Sequence, residues 1–108
     1  MRIAIVDEAR NDLIRGFQFY ERREQGLGTY FRNALFGDIE RLSEIAGVHT
    51  KMFGYYHSVA KRFPFVIYYK IEDDAVRIHA VLTAAATRAG FRGSFENVLE
   101  NESRHSFA

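Results

Sequence analysis

General acid–base chemistry at a centre that gathers negative charge takes three side-chain functions: a base, an acid, and a cation for the developing charge. Lys61, Arg62, Tyr69, Arg77, His79 and Arg88 carry those functional groups. Arg77 and His79 stand at i and i+2, so on a strand they share one face. The ordinary alternative is that both are solvent-side strand residues, that Arg62 pairs with a carboxylate, and that Tyr68 and Tyr69 pack the sheet. Other chemistries find less support. The four histidines, His49, His57, His79 and His105, make no close i, i+4 spacing with an acid, and cysteine is absent, so no metal site and no thiolate nucleophile are predicted. "GLG" (Gly26 to Gly28) is too short for a phosphate loop and joins two helical patterns. "ERRE" (Glu21 to Glu24) reads as a solvated helix end. No Ser-His-Asp arrangement and no cofactor site are recognisable.

The elements that must position these residues are read from the hydrophobic period. "RIAIV" (Arg2 to Val6) reads as a strand paired inside a sheet, and Asp7 is placed to cap the first helix. From Glu8 to about Glu24, Ala9, Leu13, Phe17 and Tyr20 recur at helical spacing, with Arg10, Arg15, Gln18 and Arg22 opposite. After the glycine-containing turn, Phe31, Leu35, Ile39, Leu42 and Ala46 form the stripe of a second helix over about Thr29 to Ala46, which Gly47 ends. Gly37 inside that helix suggests a close helix contact. A short join predicts an antiparallel hairpin of the two helices.

Beyond Gly47 the period changes to that of strands. Two short pieces are predicted near Thr50 to Phe53 and His57 to Arg62. "FPFVIYYKIE" is the strongest strand, apolar on both faces up to Lys70 and therefore central, with Pro64 at its start. "EDDA" is a hairpin turn. "VRIHAVLT" alternates Val76, Ile78, Ala80 and Leu82, under the helices, against Arg77, His79, Val81 and Thr83 on an open face. The result is an α+β domain, β-αα-βββ, with an antiparallel-rich twisted sheet packed on a two-helix hairpin over residues 1–83. Residues 84–108 read as an irregular tail of the same domain, with Phe95, Val98 and Leu99 able to form one short amphipathic turn.

Composition constrains partners. Fifteen Lys and Arg against fourteen Asp and Glu give a net charge of +1, low for a dedicated nucleic-acid binder. Most of the positive residues are arginine, whose planar fork still permits a local anion contact. No apolar stretch approaches a membrane span, the N-terminus lacks the apolar run of a secretory signal, and a cytoplasmic protein is the simplest reading.

The chain resembles the RelE/ParE superfamily of bacterial type II toxins. The resemblance runs over Ala9, Asp12-Leu13, Tyr20-Glu21, Gly26-Leu27-Gly28, Phe31, Arg62-Phe63-Pro64-Phe65, Ile67-Tyr68-Tyr69 and Ala80-Val81, in spacing closer to the ParE-like branch. It implies a toxin neutralised by a cognate antitoxin that wraps around it. A ParE-like member would inhibit DNA gyrase by binding, with Arg10, Arg62 and Arg88 as contacts. A RelE-like member would cut mRNA on the ribosome, with Arg62, Arg77 and His79 as its catalytic groups. A third reading is a degenerate module that only binds a partner. In each case no cofactor, membrane or small-molecule ligand is expected, and the protein would exist as a homodimer or a toxin-antitoxin hetero-oligomer. The antitoxin surface is expected at Leu27, Tyr30 and Phe36 or along a sheet edge, where an added helix or strand would cover apolar surface. The ending departs from the family: Thr83 stands where relatives carry a His, three alanines come next, no Pro appears, and Arg88 comes late.

Overall fold

The computed structural model of the chain describes residues 1–84. Its elements are β1 (Arg2–Ile5), α1 (Asp7–Arg23), α2 (Leu27–Ile45), β2 (Lys51–Met52), β3 (Tyr55–Val59), β4 (Phe65–Glu72) and β5 (Ala75–Thr83). The strands form one sheet in the order β1-β5-β4-β3-β2. Pairing is antiparallel from β2 to β5, whereas β1 runs parallel to β5. This is the α+β arrangement read from the sequence, with β4 and β5 central. β1, predicted inside the sheet, is instead an edge strand. Among the described residues, no helix is long and apolar enough to cross a membrane.

The helix hairpin is held by two devices at its turn. Gly26 adopts φ +91°, which lets the chain reverse. The Glu21 carboxylate then accepts N–H bonds from Gly26 at 3.0 Å and Gly28 at 2.9 Å, satisfying donors at the start of α2 that have no intrahelical partner. Glu21 is therefore a cap for the neighbouring helix rather than a solvated end. At Gly28 the backbones approach so closely that a Cβ would lie 2.7 Å from the Phe17 carbonyl oxygen. Gly16 likewise leaves room for the Phe31 ring. Gly37, predicted to mark a close helix contact, faces open space, so the close approaches belong to Gly16 and Gly28. Asp7 is the first helical residue, not the cap; Val6 occupies that position without a side-chain bond.

The hairpin packs on one face of the sheet. Ala9, Leu13, Phe31, Leu35, Ile39 and Leu42 from the helices meet Phe65, Ile67, Tyr69, Val76, Ile78 and Val81 from the strands. Asp12 lies buried at this junction and accepts the Val81 N–H at 3.0 Å. β1 pairs β5 only as far as Ile78, so Asp12 supplies an acceptor to the strand beyond its neighbour's end.

The alternation predicted for β5 breaks in its middle. Tyr68 pairs Ala80 and Tyr69 pairs Ile78, which leaves His79 as the extra residue of a bulge. Every side chain after it changes face. Val81 joins the core under the helices, while Ala80 and Leu82 turn to the far face. There they form a second buried cluster with Tyr55, Val66 and Tyr68. The far face is thus an apolar layer of its own and not the open polar surface the simple alternation predicts.

β2 and β3 are joined by a tight turn in which Phe53 (φ +56°) and Gly54 (φ +87°) both take left-handed backbone. β3 consequently begins two residues earlier than its sequence pattern indicates and stops before Arg62. The predicted "EDDA" turn is present, with Asp73 and Asp74 both at positive φ. Pro64 immediately precedes β4, where its missing N–H interrupts no ladder.

Candidate partner-binding surface

α1 buries Ala9, Leu13 and Gly16, and its exposed side carries one aliphatic residue out of pattern: Ile14, 47% exposed. Across from it on α2 stands Phe36, 37% exposed. Between them lies a hollow of about 320 Å³ whose floor includes Leu13, Ile14, Phe17 and Phe36, with Arg10, Gln18 and Arg32 at its rim. The Arg32 guanidinium lies 5.7 Å over the Phe17 ring, and Arg10 pairs with Asp7 at 3.3 Å. An apolar trough flanked by arginines is suited to an amphipathic helix that presents aliphatic side chains inward and carboxylates along its margins.

Of the three residues predicted for this surface, only Phe36 lines the groove. Nine residues separate it from Leu27, two and a half helical turns, so the two stand on opposite sides of α2. Tyr30 is half exposed and packs on Phe63, 5.5 Å between ring centroids. Ile14 and Arg32 also line the groove and were not among the predicted residues. Their only sequence signal is an aliphatic side chain next to Leu13 on the polar side of the first helix, with an arginine one turn before Phe36.

The predicted chemical residues are dispersed. Arg77 and His79 do share the far face of β5, but the Arg77 Nε donates to Glu72 Oε1 at 2.9 Å. The His79 ring sits 5.3 Å from that of Tyr55, and its buried Nε2 has no hydrogen-bond partner; burial moves its pKa below the ordinary value, opposed next by the Glu72 carboxylate and reinforced by Lys70 and Arg77. Arg62 lies in the bend before β4 and is exposed, without an ion pair among the described residues. Arg77 is aligned with Lys70, and from Phe65 to Lys70 alone is about 17 Å of strand. Arg62 and Arg77 are thereby held at opposite ends of β4. Arg10 is exposed at the groove, and Arg88 lies outside the described residues.

A polar network near the end of α2 was not anticipated. Tyr69 is fully buried, and its hydroxyl accepts the Gly47 N–H at 3.0 Å and meets His49 Nδ1 at 2.6 Å. A hydroxyl carries one proton and two lone pairs, so it accepts from Gly47 and still has capacity for a hydrogen bond with Nδ1 in either His49 tautomer. Burial lowers the His49 pKa, with smaller contributions from His57 and Arg41, and keeps this ring neutral near pH 7. His49 lines a second hollow of about 480 Å³ between the end of α2 and the free edge of β3.

No protein-family model matches the chain, and no curated protein matches its sequence. Among solved structures, one described as the chromosomal ParDE TA system from P. aeruginosa superposes with a TM-score of 0.71 at 15% sequence identity, covering 77% of this chain and 95% of that one. The fold is ParE-like.

Proposed function

We propose that the chain is the toxin of a bacterial type II toxin-antitoxin system, acting in the ParE manner by binding DNA gyrase and silenced by a cognate antitoxin. The observation that carries this reading is the pairing of a ParE-like fold with an exposed apolar groove between α1 and α2, rimmed by Arg10 and Arg32. That groove is the proposed seat of the antitoxin's amphipathic segment. Arg10, Arg62 and Arg88 are the proposed contacts to the target, and the cytoplasm, where both targets reside, is the proposed site of action. Binding is favoured over cleavage because Arg77 is engaged by Glu72 and Arg62 is distant from it along the sheet.

The RelE-like alternative rests on one observation, the common face of Arg77 and His79 on β5. Induced expression in a bacterium, alone and together with the product of the adjacent gene, tests the proposal. Growth arrest relieved by the neighbour supports the toxin reading; uninhibited growth at full soluble expression leaves the degenerate module instead. Loss of supercoiling after induction then identifies gyrase, and translation-dependent mRNA cleavage identifies the ribosome.

A further inference from the structure

The hollow beside His49 lies away from the α1–α2 groove and has no role in the toxin reading. Its polar wall combines donors from several elements. Arg41 comes from α2, His49 and Thr50 from the segment between α2 and β2, Ser58 from β3, and Lys61 from the bend after it. One carboxylate, Asp38, also lines it. Asp38 is largely committed: its Oδ2 accepts the Lys61 backbone N–H at 3.1 Å, and its Oδ1 reaches Arg41 only at 3.9 Å. Among the described residues the Lys61 ammonium has no ion pair. Two side-chain cations thus face one carboxylate, beside a neutral imidazole fixed by Tyr69.

We propose that this hollow is a binding site for a small phosphomonoester. A carboxylate ligand presents two oxygens in a plane. The arginine fork, ammonium, imidazole ring and two hydroxyls come from different elements, and this spread suits the three oxygens of a tetrahedral phosphoryl group. The volume of about 480 Å³ lies in the range of small-molecule sites. Val48 and Val59, 74% and 69% exposed, line the same hollow and offer apolar surface to the organic part of the ligand. Their exposure otherwise has no account in the fold. The site departs from the sequence-based expectation that no small molecule binds, and it stands independently of the toxin proposal.

Titration of the isotope-labelled full chain by NMR, at constant ionic strength, tests it with two probes: inorganic phosphate and adenosine monophosphate. Both are expected to shift the His49 ring and the Thr50 and Ser58 amides, with the nucleotide binding more tightly. Joint replacement Arg41→Gln, Lys61→Gln should weaken binding about tenfold or more, since charge-assisted bonds are lost. Asp38→Asn, which keeps an acceptor for the Lys61 N–H, should tighten it severalfold. Equal affinity for the two probes upholds the site and assigns it to free phosphate. Shifts that arise elsewhere, or that survive the double replacement in a folded variant, overturn the proposal, as does a wild-type chain that responds to neither probe.

Discussion

Asp12 brings a carboxylate into the junction of α1 with β5. Burial, outweighing the Val81 N–H and the Arg15 guanidinium that favour the charged form, pushes its pKa from 3.8 up to about 6. The folded state therefore binds a proton more readily than the unfolded chain. The resulting stabilisation is complete below about 3.8 and is lost as pH rises through about 6. Asp12→Asn keeps an acceptor for Val81 and removes the charge. It is expected to be more stable than the parent at pH 7, by on the order of 2 kcal/mol, with the difference vanishing toward pH 4. Urea unfolding at several pH values measures this. The comparison must be between variant and parent, because His49 and His79 act in the opposite sense. Their lowered pKa values add stability above 6.5 that is lost as pH falls below it. At Glu21, substitution by Ala removes the acceptor shared by Gly26 and Gly28 and should cost about 1–2 kcal/mol in thermal unfolding, with Glu21→Gln recovering part of it.

At the scale of elements, two glycines in one helix behave oppositely. Gly28→Ala drives a methyl group to 2.7 Å from the Phe17 carbonyl and should destabilise the hairpin by about 2 kcal/mol or more. Gly37→Ala meets open space and should stabilise α2 by about 0.5–1 kcal/mol. Chemical denaturation of both variants checks the pair. Sequence alone did not separate them, because a glycine inside a helical period reports permitted closeness, not the neighbour that exploits it. The helices, the central hairpin and the "EDDA" turn were legible because each has a period or a turn composition of its own. The His79 bulge was not. Between Val76 and Leu82 apolar residues occupy both faces, so one inserted residue leaves the alternation looking intact while reversing Ala80, Val81 and Leu82. The turn between β2 and β3 was expected at Gly54 but not to include Phe53, because an aromatic side chain gives no hint of left-handed backbone.

At the scale of the molecule, the hairpin has one face on the sheet and keeps an arginine-rimmed apolar trough on its outer side. The site was only partly legible. Phe36 was expected on a partner surface and Arg10 on a target surface, and neither Ile14 nor Arg32 was named; the four line one hollow only because α1 and α2 pack side by side. If the trough seats the antitoxin, Ile14→Glu or Phe36→Glu should leave the chain folded and toxic yet no longer relieved by its partner, read as growth of cells expressing both proteins. Both side chains are substantially exposed, so the cost to folding should be small. The most direct test is a supercoiling reaction with purified DNA gyrase, relaxed plasmid and ATP, titrated with the purified chain. The account predicts a dose-dependent loss of supercoiling that the partner restores; full supercoiling at concentrations of the chain that arrest growth would contradict it.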